Sequence, residues 1–490
     1  MAVNFKKLFL SKWSERLFLF FILAITLFFV SYKLTESPPT WYDEGFIIQS
    51  AENLMANGRL GIQIEPGVII EEATFFSTGF PVAYPVGWAL QIFGKDLLSA
   101  RSVMVFFCLL LVGLSYFLIK RIWGFKTAVL SSLLLISFAS LYGNGKNVLG
   151  EVPGLFFLVA FLYFLYRIEE KNYLAGYRNY FLAGLFLGLC LATKSIFLIL
   201  PAALFFSLLI YWRKINWNWS LIGSGFLGFM VSLFFLFKTQ FSAATSLGSV
   251  FGDYLNPSAT TDVFYLAVQN FVRFFIEAAP LYLLVMMIIW AGTLIIRFKF
   301  FKEKIALTET VAFVFSGLIG LSYLHLAGWS RYLFPAQIIA LLFFPVSAKV
   351  VIKFLGDRFK IKLPTFTLVL LVAILFAIQL YQLCFGSWVA GYYNSHNTRD
   401  LEAHFSGLNP TEKIFLYDAP EIATFLPSKN YRQYLKINDN LIIGQEELKS
   451  IENGLPDKII INIRKKEILS SFSLYEEKIK VSKYLILEKK

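Results

Sequence analysis

The sequence predicts an all-α polytopic membrane bundle of about eleven transmembrane helices, at roughly 20 residues per span. Amphipathic juxtamembrane helices are expected in the first outer loop, and a small C-terminal α/β domain outside the membrane. Three observations carry this expectation. Of 490 residues 57% are apolar and 16% charged, where an ordinary soluble domain has roughly 25% charged residues. Apolar runs of spanning length recur between clusters of Lys and Arg. Beyond residue 386 the chain turns polar and alternates strand-like with helix-like stretches.

The runs fall near 17–34, 102–119, 127–142, 152–168, 179–193, 195–212, 219–237, 276–296, 307–327, 331–348 and 363–386. The first follows Lys6, Lys7, Lys12 and Arg16 like a signal peptide, but it is long and no small-residue cleavage site follows. It reads as a retained helix. With the N-terminus inside, the inside segments hold twenty-one Lys and Arg against eight outside, the C-terminal tail aside. This bias predicts a cytoplasmic N-terminus and an extracytoplasmic C-terminal domain, in an inner (plasma) membrane. It also accounts for the net charge of +13 without a nucleic-acid partner. The three cysteines lie in apolar runs and read as small hydrophobes.

The organisation expected is a transmembrane domain at 1–386, with an outer loop at 35–101, and an extracytoplasmic domain at 387–490. Strands are predicted at 413–417, 458–463 and 483–487, and helix-like stretches at EIATFL and EELKSIE. In the outer loop, Ile47, Ile48, Ala51, Leu54 and Met55 fall at helical spacing before Gly58, which can end the helix. That helix is expected to lie on the outer surface, with a second at Tyr84–Gly94.

Within WYDEG, Asp43 and Glu44 are adjacent carboxylates at the edge of the first span. A structural reading is a capping box from Thr40 to Asp43; a chemical reading is a catalytic carboxylate. Both stay open on this stretch alone. The same outer face carries Lys146, Glu151, Lys194 and Arg331, ionisable groups that are costly at membrane depth unless paired or used. Carboxylates and cations together suit a reaction between a hydroxyl and a phosphorylated lipid. The leaving phosphate needs cations; the hydroxyl needs a carboxylate base. One base and phosphate-binding cations suffice for an inverting, one-step displacement. There is no glycine-rich phosphate loop of the GxxxxGK[ST] type.

On these residues the chain, over about 15–345, resembles the GT-C-fold glycosyltransferases, in the group of protein O-mannosyltransferases and bacterial aminoarabinose transferases. The motifs, in order, are WYDEG, the YP segment followed by FGKDLLSAR, GEVPGLFF, LATKSIFLILP and RYLFP. The resemblance implies that Asp43 is the catalytic carboxylate with Glu44 as its companion. It also implies that Thr193, Lys194 and Pro201, and Arg331, Tyr332 and Pro335, form the carrier-phosphate segments. Glu151 matches the acidic position opening a helix; Lys146 and Tyr84 complete the expected substrate-binding set. Aminoarabinose transferases carry an acidic–Lys pair where this chain reads Val82-Ala83-Tyr84-Pro85, so the sugar is left open. The tail also differs from the β-trefoil insert of eukaryotic protein mannosyltransferases.

The function implied is an integral membrane glycosyltransferase that moves a hexosyl or pentosyl group from a polyprenyl-phosphate donor to a hydroxyl of an envelope lipid, glycan or protein. A transporter or flippase of lipid-linked sugars is the alternative; it predicts pseudo-symmetric halves and broken midplane helices. A scaffold with a sensing tail is a third. No cofactor is expected, although Asp43, Glu44 and Glu151 could hold a divalent cation. His325 reads as packed, His396 and His404 as solvated, and Asp253 and Tyr254 as minor acceptor contacts.

Overall fold

The computed structural model describes residues 12–71, 78–240, 263–275, 280–325, 329–360, 366–438, 441–444 and 455–490. Each apolar run in these segments is helical. The first helix is α1 (Lys12–Ser31); α2 (Tyr42–Asn57) and α3 (Phe80–Phe93) lie in the first loop, with a hairpin of β1 (Ile62–Glu65) and β2 (Val68–Ile70) between them. The bundle continues through α4 (Leu97–Trp123), α5 (Phe125–Ser137), α6 (Ala139–Lys146), α7 (Glu151–Glu170) and α8 (Tyr177–Thr193). Then come α9 (Leu200–Tyr211), preceded by a 3-10 turn, α10 (Trp219–Gln240), α11 (Val263–Arg273), α12 (Leu283–Lys299), α13 (Leu307–Tyr323), α14 (Ser330–Phe359) and α15 (Phe366–Tyr381).

Among the described residues seven helices are long and apolar enough to cross a membrane, eight if α5 and α6, bent by 61°, form one span. The expected count of eleven is not reached on this measure. Helices α8, α12 and α13 are each 17 residues long. The chain is a multi-pass membrane protein.

Charged pairs gather the helix ends away from the C-terminal domain. Lys120 Nζ donates to Glu15 at 2.6 Å and Arg121 Nη2 to Glu170 at 2.6 Å. Arg297 grips both oxygens of Glu309 at 2.8 and 2.7 Å and lies 4.6 Å from the Trp123 ring. Glu169 caps the start of α13, accepting the Leu307 N–H at 2.7 Å. Helices α8 and α10 meet through glycines. A Cβ on Gly184 would press on the Gly225 backbone, and one on Gly228 on the backbones of Phe181 and Leu185. Small residues at such spacing let helix backbones approach where no water drives association.

The C-terminal domain follows two short helices, α16 (Trp388–Gly391) and α17 (Asn397–Phe405). Its mixed sheet comprises β3 (Ile414–Tyr417), β4 (Tyr431–Asn438), β5 (Leu441–Ile443), β6 (Lys458–Asn462), β7 (Tyr475–Val481) and β8 (Tyr484–Lys489), in the order β5-β4-β3-β6-β8-β7. Strands β3, β4 and β6 are parallel; β5, β7 and β8 add antiparallel edges. The two-residue period of a strand puts alternate side chains on opposite faces. Ile414, Leu416 and Ile460 join the bundle's core, while Phe415, Tyr417, Ile459 and Ile461 pack beneath Phe472. The three predicted strands are present. EIATFL is a 3-10 turn, Pro420–Thr424, rather than a longer helix, and EELKSIE lies outside the described residues.

Helix α2 is wedged between α3 and this domain and has no single wet face: of the eleven residues from Glu44 to Leu54, all but Glu52 are buried. At Gly45 an added Cβ would lie 2.8 Å from Glu421 Cβ and nearer still to its backbone. Gln49 Nε2 donates to Pro420 O at 2.8 Å, and its Oε1 accepts from Gln433 Nε2 at 2.9 Å. Gln63 Nε2 bonds the carbonyls of Lys429 and Tyr431, each at 2.9 Å. The helix ends on Gly58 in the left-handed conformation, φ 75°, as its position suggests.

The capping box is not formed. The N-cap is Trp41, with no side-chain cap bond, and Thr40 Oγ1 has no partner. Asp43 is engaged by a distant arginine instead of by its own helix start.

Candidate active site

Asp43 and Glu44 are neighbours in sequence and separate in space, because successive helical residues point about 100° apart. Glu44 turns into the protein. It is fully buried, takes Arg101 Nε and Nη2 at 2.8 and 2.6 Å, and accepts the Val148 N–H at 2.9 Å. Arg101 Nη1 completes the knot on the carbonyls of Leu34 and Pro38, at 2.6 and 2.8 Å. This knot ties α2, α4, the α1–α2 loop and the α6–α7 loop together. It leaves Glu44 away from open space and gives it a structural role.

Asp43 faces the other way, half-buried, and accepts a hydrogen bond from Arg331 Nη1 at the start of α14. The guanidinium is stacked among aromatic rings, 4.8 Å from Trp41, 5.3 Å from Tyr332 and 5.8 Å from Trp329. Such contacts hold a cation while leaving N–H groups to bond. Its Nε has no partner.

Behind this pair is a second. Lys194, between α8 and the following 3-10 turn, donates to Glu151 Oε1 at 2.6 Å, and both side chains are buried. Glu151 Oε2 is unpaired, and its charge lies near enough to Arg331 to attract it. Asp43, Arg331, Glu151 and Lys194 thus form an alternating row of charges whose formal sum is zero. Residues 78–79 lie against Lys194 through a bridge from Thr78.

Two expected residues are elsewhere. Lys146 is buried with Nζ on Tyr32 O at 2.6 Å and over the Tyr393 ring. Tyr84 packs between Phe80 and Trp88 on α3. The three carboxylates considered for a metal do not converge, each being bonded to a different cation. Among the described residues no group of three His, Cys, Asp or Glu is placed to hold an ion. His325 is exposed; Asp253 and Tyr254 lie outside the described residues.

Trp41 and Arg331 line a cavity of about 870 Å³ between the bundle and the C-terminal domain. The domain contributes Asn462, Arg464 and Lys483 to it, and α6, just past its bend from α5, contributes Ser140 and Asn144. None of these was singled out from the sequence. The GNGKN stretch was the available signal, polar residues interrupting an apolar run; nothing distinguishes Arg464 and Lys483 from the tail's other cations.

A burial-driven cluster backs the site. Glu421 is buried and accepts from Lys483 Nζ at 2.8 Å and from the Tyr484 hydroxyl. Burial, then the charges of Asp418, Asp43 and Glu421, push the Tyr42 hydroxyl well above its ordinary range, so it stays protonated. Burial also raises Asp418, against the pull of Lys465.

The chain aligns over 96% of its length with ArnT from Cupriavidus metallidurans bound to undecaprenyl phosphate, covering 97% of that chain with a TM-score of 0.63 at 13% identity. The fold is that of the GT-C membrane glycosyltransferases. The archaeal oligosaccharyltransferase AglB from Archaeoglobus fulgidus, in complex with an inhibitory peptide and a dolichol-phosphate, shares it. That match has a TM-score of 0.54 at 13% identity over 95% of this chain and 70% of AglB. In sequence, the family model for dolichyl-phosphate-mannose-protein mannosyltransferase matches residues 79–237, short of half the chain. No curated protein matches the chain in sequence. In this GT-C fold the matched stretch runs from α3 to α10 and includes Glu151 and Lys194, while Asp43 and Arg331 fall outside it.

Proposed function

We propose that the protein is a glycosyltransferase that moves a sugar from a polyprenyl-phosphate donor to an acceptor hydroxyl at the outer face of the plasma membrane. The observation that carries this reading is the contact of Asp43 with Arg331 at the wall of the cavity between bundle and C-terminal domain. It joins a carboxylate base to a phosphate-binding cation. The ArnT and AglB structures, which contain undecaprenyl phosphate and dolichol-phosphate, support the donor class.

Asp43 and Arg331 cannot serve base and phosphate while bound only to each other. The donor phosphate competes with Asp43 for the guanidinium and frees the carboxylate. Asp43 takes the proton of the acceptor hydroxyl, and the oxygen attacks the anomeric carbon from the face opposite the phosphate. The carbon–phosphate-oxygen bond breaks, the configuration inverts, and the carrier leaves as its phosphate anion. Arg331 stabilises that charge, joined by Lys194 when it exchanges Glu151 for phosphate.

Eleven traverses with a cytoplasmic N-terminus suit this assignment. They put Glu15, Lys120, Arg121, Glu170, Arg297 and Glu309 at the inner end and the proposed site at the outer end. In this arrangement the transmembrane domain of 1–386 carries the chemistry and the extracytoplasmic domain of 387–490 closes it.

The reading is tested by binding of undecaprenyl phosphate to the full-length protein in nanodiscs. Arg331→Ala and Lys194→Ala are expected to weaken it, each by roughly tenfold or more, as for a lost charge-assisted hydrogen bond. Unchanged carrier affinity in both, with loss of acceptor use alone, contradicts the phosphate role.

A further inference from the structure

The C-terminal domain meets the cavity at the carboxyl ends of its parallel strands. Strand β4 follows β3 on one side and β6 joins β3 on the other, so the order of the parallel strands reverses at β3. In open α/β sheets ligands bind outside the carboxyl ends of the strands at such a reversal. Asn462 ends β6, and Arg464 follows two residues later. Ser482 and Lys483 form the turn beside them, where the Ile463 N–H donates to Lys483 O at 2.8 Å. All four line the cavity that Arg331 reaches from the bundle. The end of the sheet suited to a ligand thus faces the proposed active site.

The cations at this end of the sheet are not equivalent. Lys483 Nζ is bonded to Glu421 at 2.8 Å, and Lys465 is paired with Asp418 at 3.8 Å. Arg464 is exposed, and among the described residues no carboxylate pairs with its guanidinium. Its neighbour Asn462 has a fixed amide orientation. The Asn462 Oδ1 accepts the Arg464 N–H at 3.1 Å, which leaves the Nδ2 hydrogens for another partner. Arg464 and Asn462 therefore offer donors alone, and among the described residues lining the cavity there is no Asp or Glu. An acceptor-only anion matches that set, and a phosphate has oxygens enough for the guanidinium fork and the amide together. Resting on the glycosyltransferase reading, we propose that Arg464 and Asn462 bind a phosphate group of the acceptor, carried near the hydroxyl that is glycosylated. Arg331 and Lys194 take the carrier phosphate in that reading, so an anion held from the domain belongs to the second substrate.

The test uses the full-length protein in phosphatidylcholine nanodiscs, saturated with undecaprenyl phosphate so that the carrier's own cations are occupied. The probes are glucose 6-phosphate and glucose. The wild type is expected to bind glucose 6-phosphate roughly tenfold more tightly than glucose, the worth of a charge-assisted hydrogen bond. Arg464→Ala should abolish that preference, and Arg464→Lys, which keeps the charge and loses the fork, should retain part of it. Asn462→Asp preserves the acceptor for the Arg464 N–H and replaces the amide donor by an anion, so it too should abolish the preference. Carrier affinity should be unchanged in all three, which also shows that they are folded. Adding phosphatidylglycerol to the nanodiscs separates two sources of the phosphate. Displacement of glucose 6-phosphate that is lost in Arg464→Ala assigns the site to a lipid headgroup, and no displacement assigns it to a soluble phosphorylated acceptor. Equal binding of the two probes by the wild type, a preference intact in Arg464→Ala or Asn462→Asp, or weakened carrier binding in Arg464→Ala overturns the subsite. If the wild type does not bind the carrier, the glycosyltransferase reading fails, and this inference with it.

Discussion

Removing Arg101 should unfasten the helix that carries Asp43. Arg101 is fully buried and makes four hydrogen bonds of 2.6–2.8 Å, two to Glu44 and one each to Leu34 O and Pro38 O. Arg101→Met keeps much of the side-chain volume and leaves the Glu44 charge buried with the Val148 N–H as its remaining donor. Breaking one side of a buried pair costs about 3–5 kcal/mol. Adding Glu44→Leu removes the stranded charge, so the double variant should be less destabilised than the sum of the singles by about 2–3 kcal/mol. The assay is denaturant unfolding of the detergent-purified protein, followed by tryptophan fluorescence. Single and double variants that add to within about 0.5 kcal/mol would show that the two groups do not support each other, and the clamp would be refuted. A matching activity measurement separates structure from chemistry. Glu44→Gln, per folded molecule, should transfer within about tenfold of wild type, whereas loss of a general base costs 10²–10⁴-fold.

Two further outcomes follow from close backbone approaches. Gly45→Val would drive α2 off Glu421, an overpacking worth roughly 1–3 kcal/mol. It should open the junction of bundle and C-terminal domain to limited proteolysis and lower transfer, since Asp43 is on the same helix; an unchanged digestion pattern would contradict that contact. Gly228→Leu should separate α8 from α10, at Phe181 and Leu185, and reduce thermal stability by a similar amount. A wild-type melting profile would argue against this packing.

Long apolar runs and the Lys/Arg bias made the bundle legible, because spanning length and interface charge are local properties of the chain. Strands β3, β6 and β8 were legible for the same reason, being short apolar runs. Strand β7 was missed: it is an edge strand with an almost wholly exposed, charged sequence, YEEKIKV. Strand β4 was missed because Arg432, Gln433 and Lys436 make YRQYLKIN read as polar, although Gln433 is buried against α2.

The site was half legible. Ionisable residues stand out against an apolar background, so Asp43, Glu151, Lys194 and Arg331 could be named. Which of them pair could not be read, since Asp43 and Arg331 are 288 residues apart. Local rules favoured a capping box at Thr40, and the long-range arginine prevailed over it. The split between Asp43 and Glu44 follows from helical rotation once α2 is placed, but the direction each faces depends on Arg101 and Arg331, both far away in sequence.

The central claim is that Asp43 is the base. It is tested most directly by Asp43→Asn, assayed for transfer from a polyprenyl-phosphate sugar to the acceptor alongside undecaprenyl phosphate binding. Asparagine preserves shape and can still contact Arg331, so the protein should insert, fold and bind carrier, while transfer falls by about 10²–10⁴-fold. Transfer near the wild-type rate in a variant that binds carrier normally would contradict the assignment.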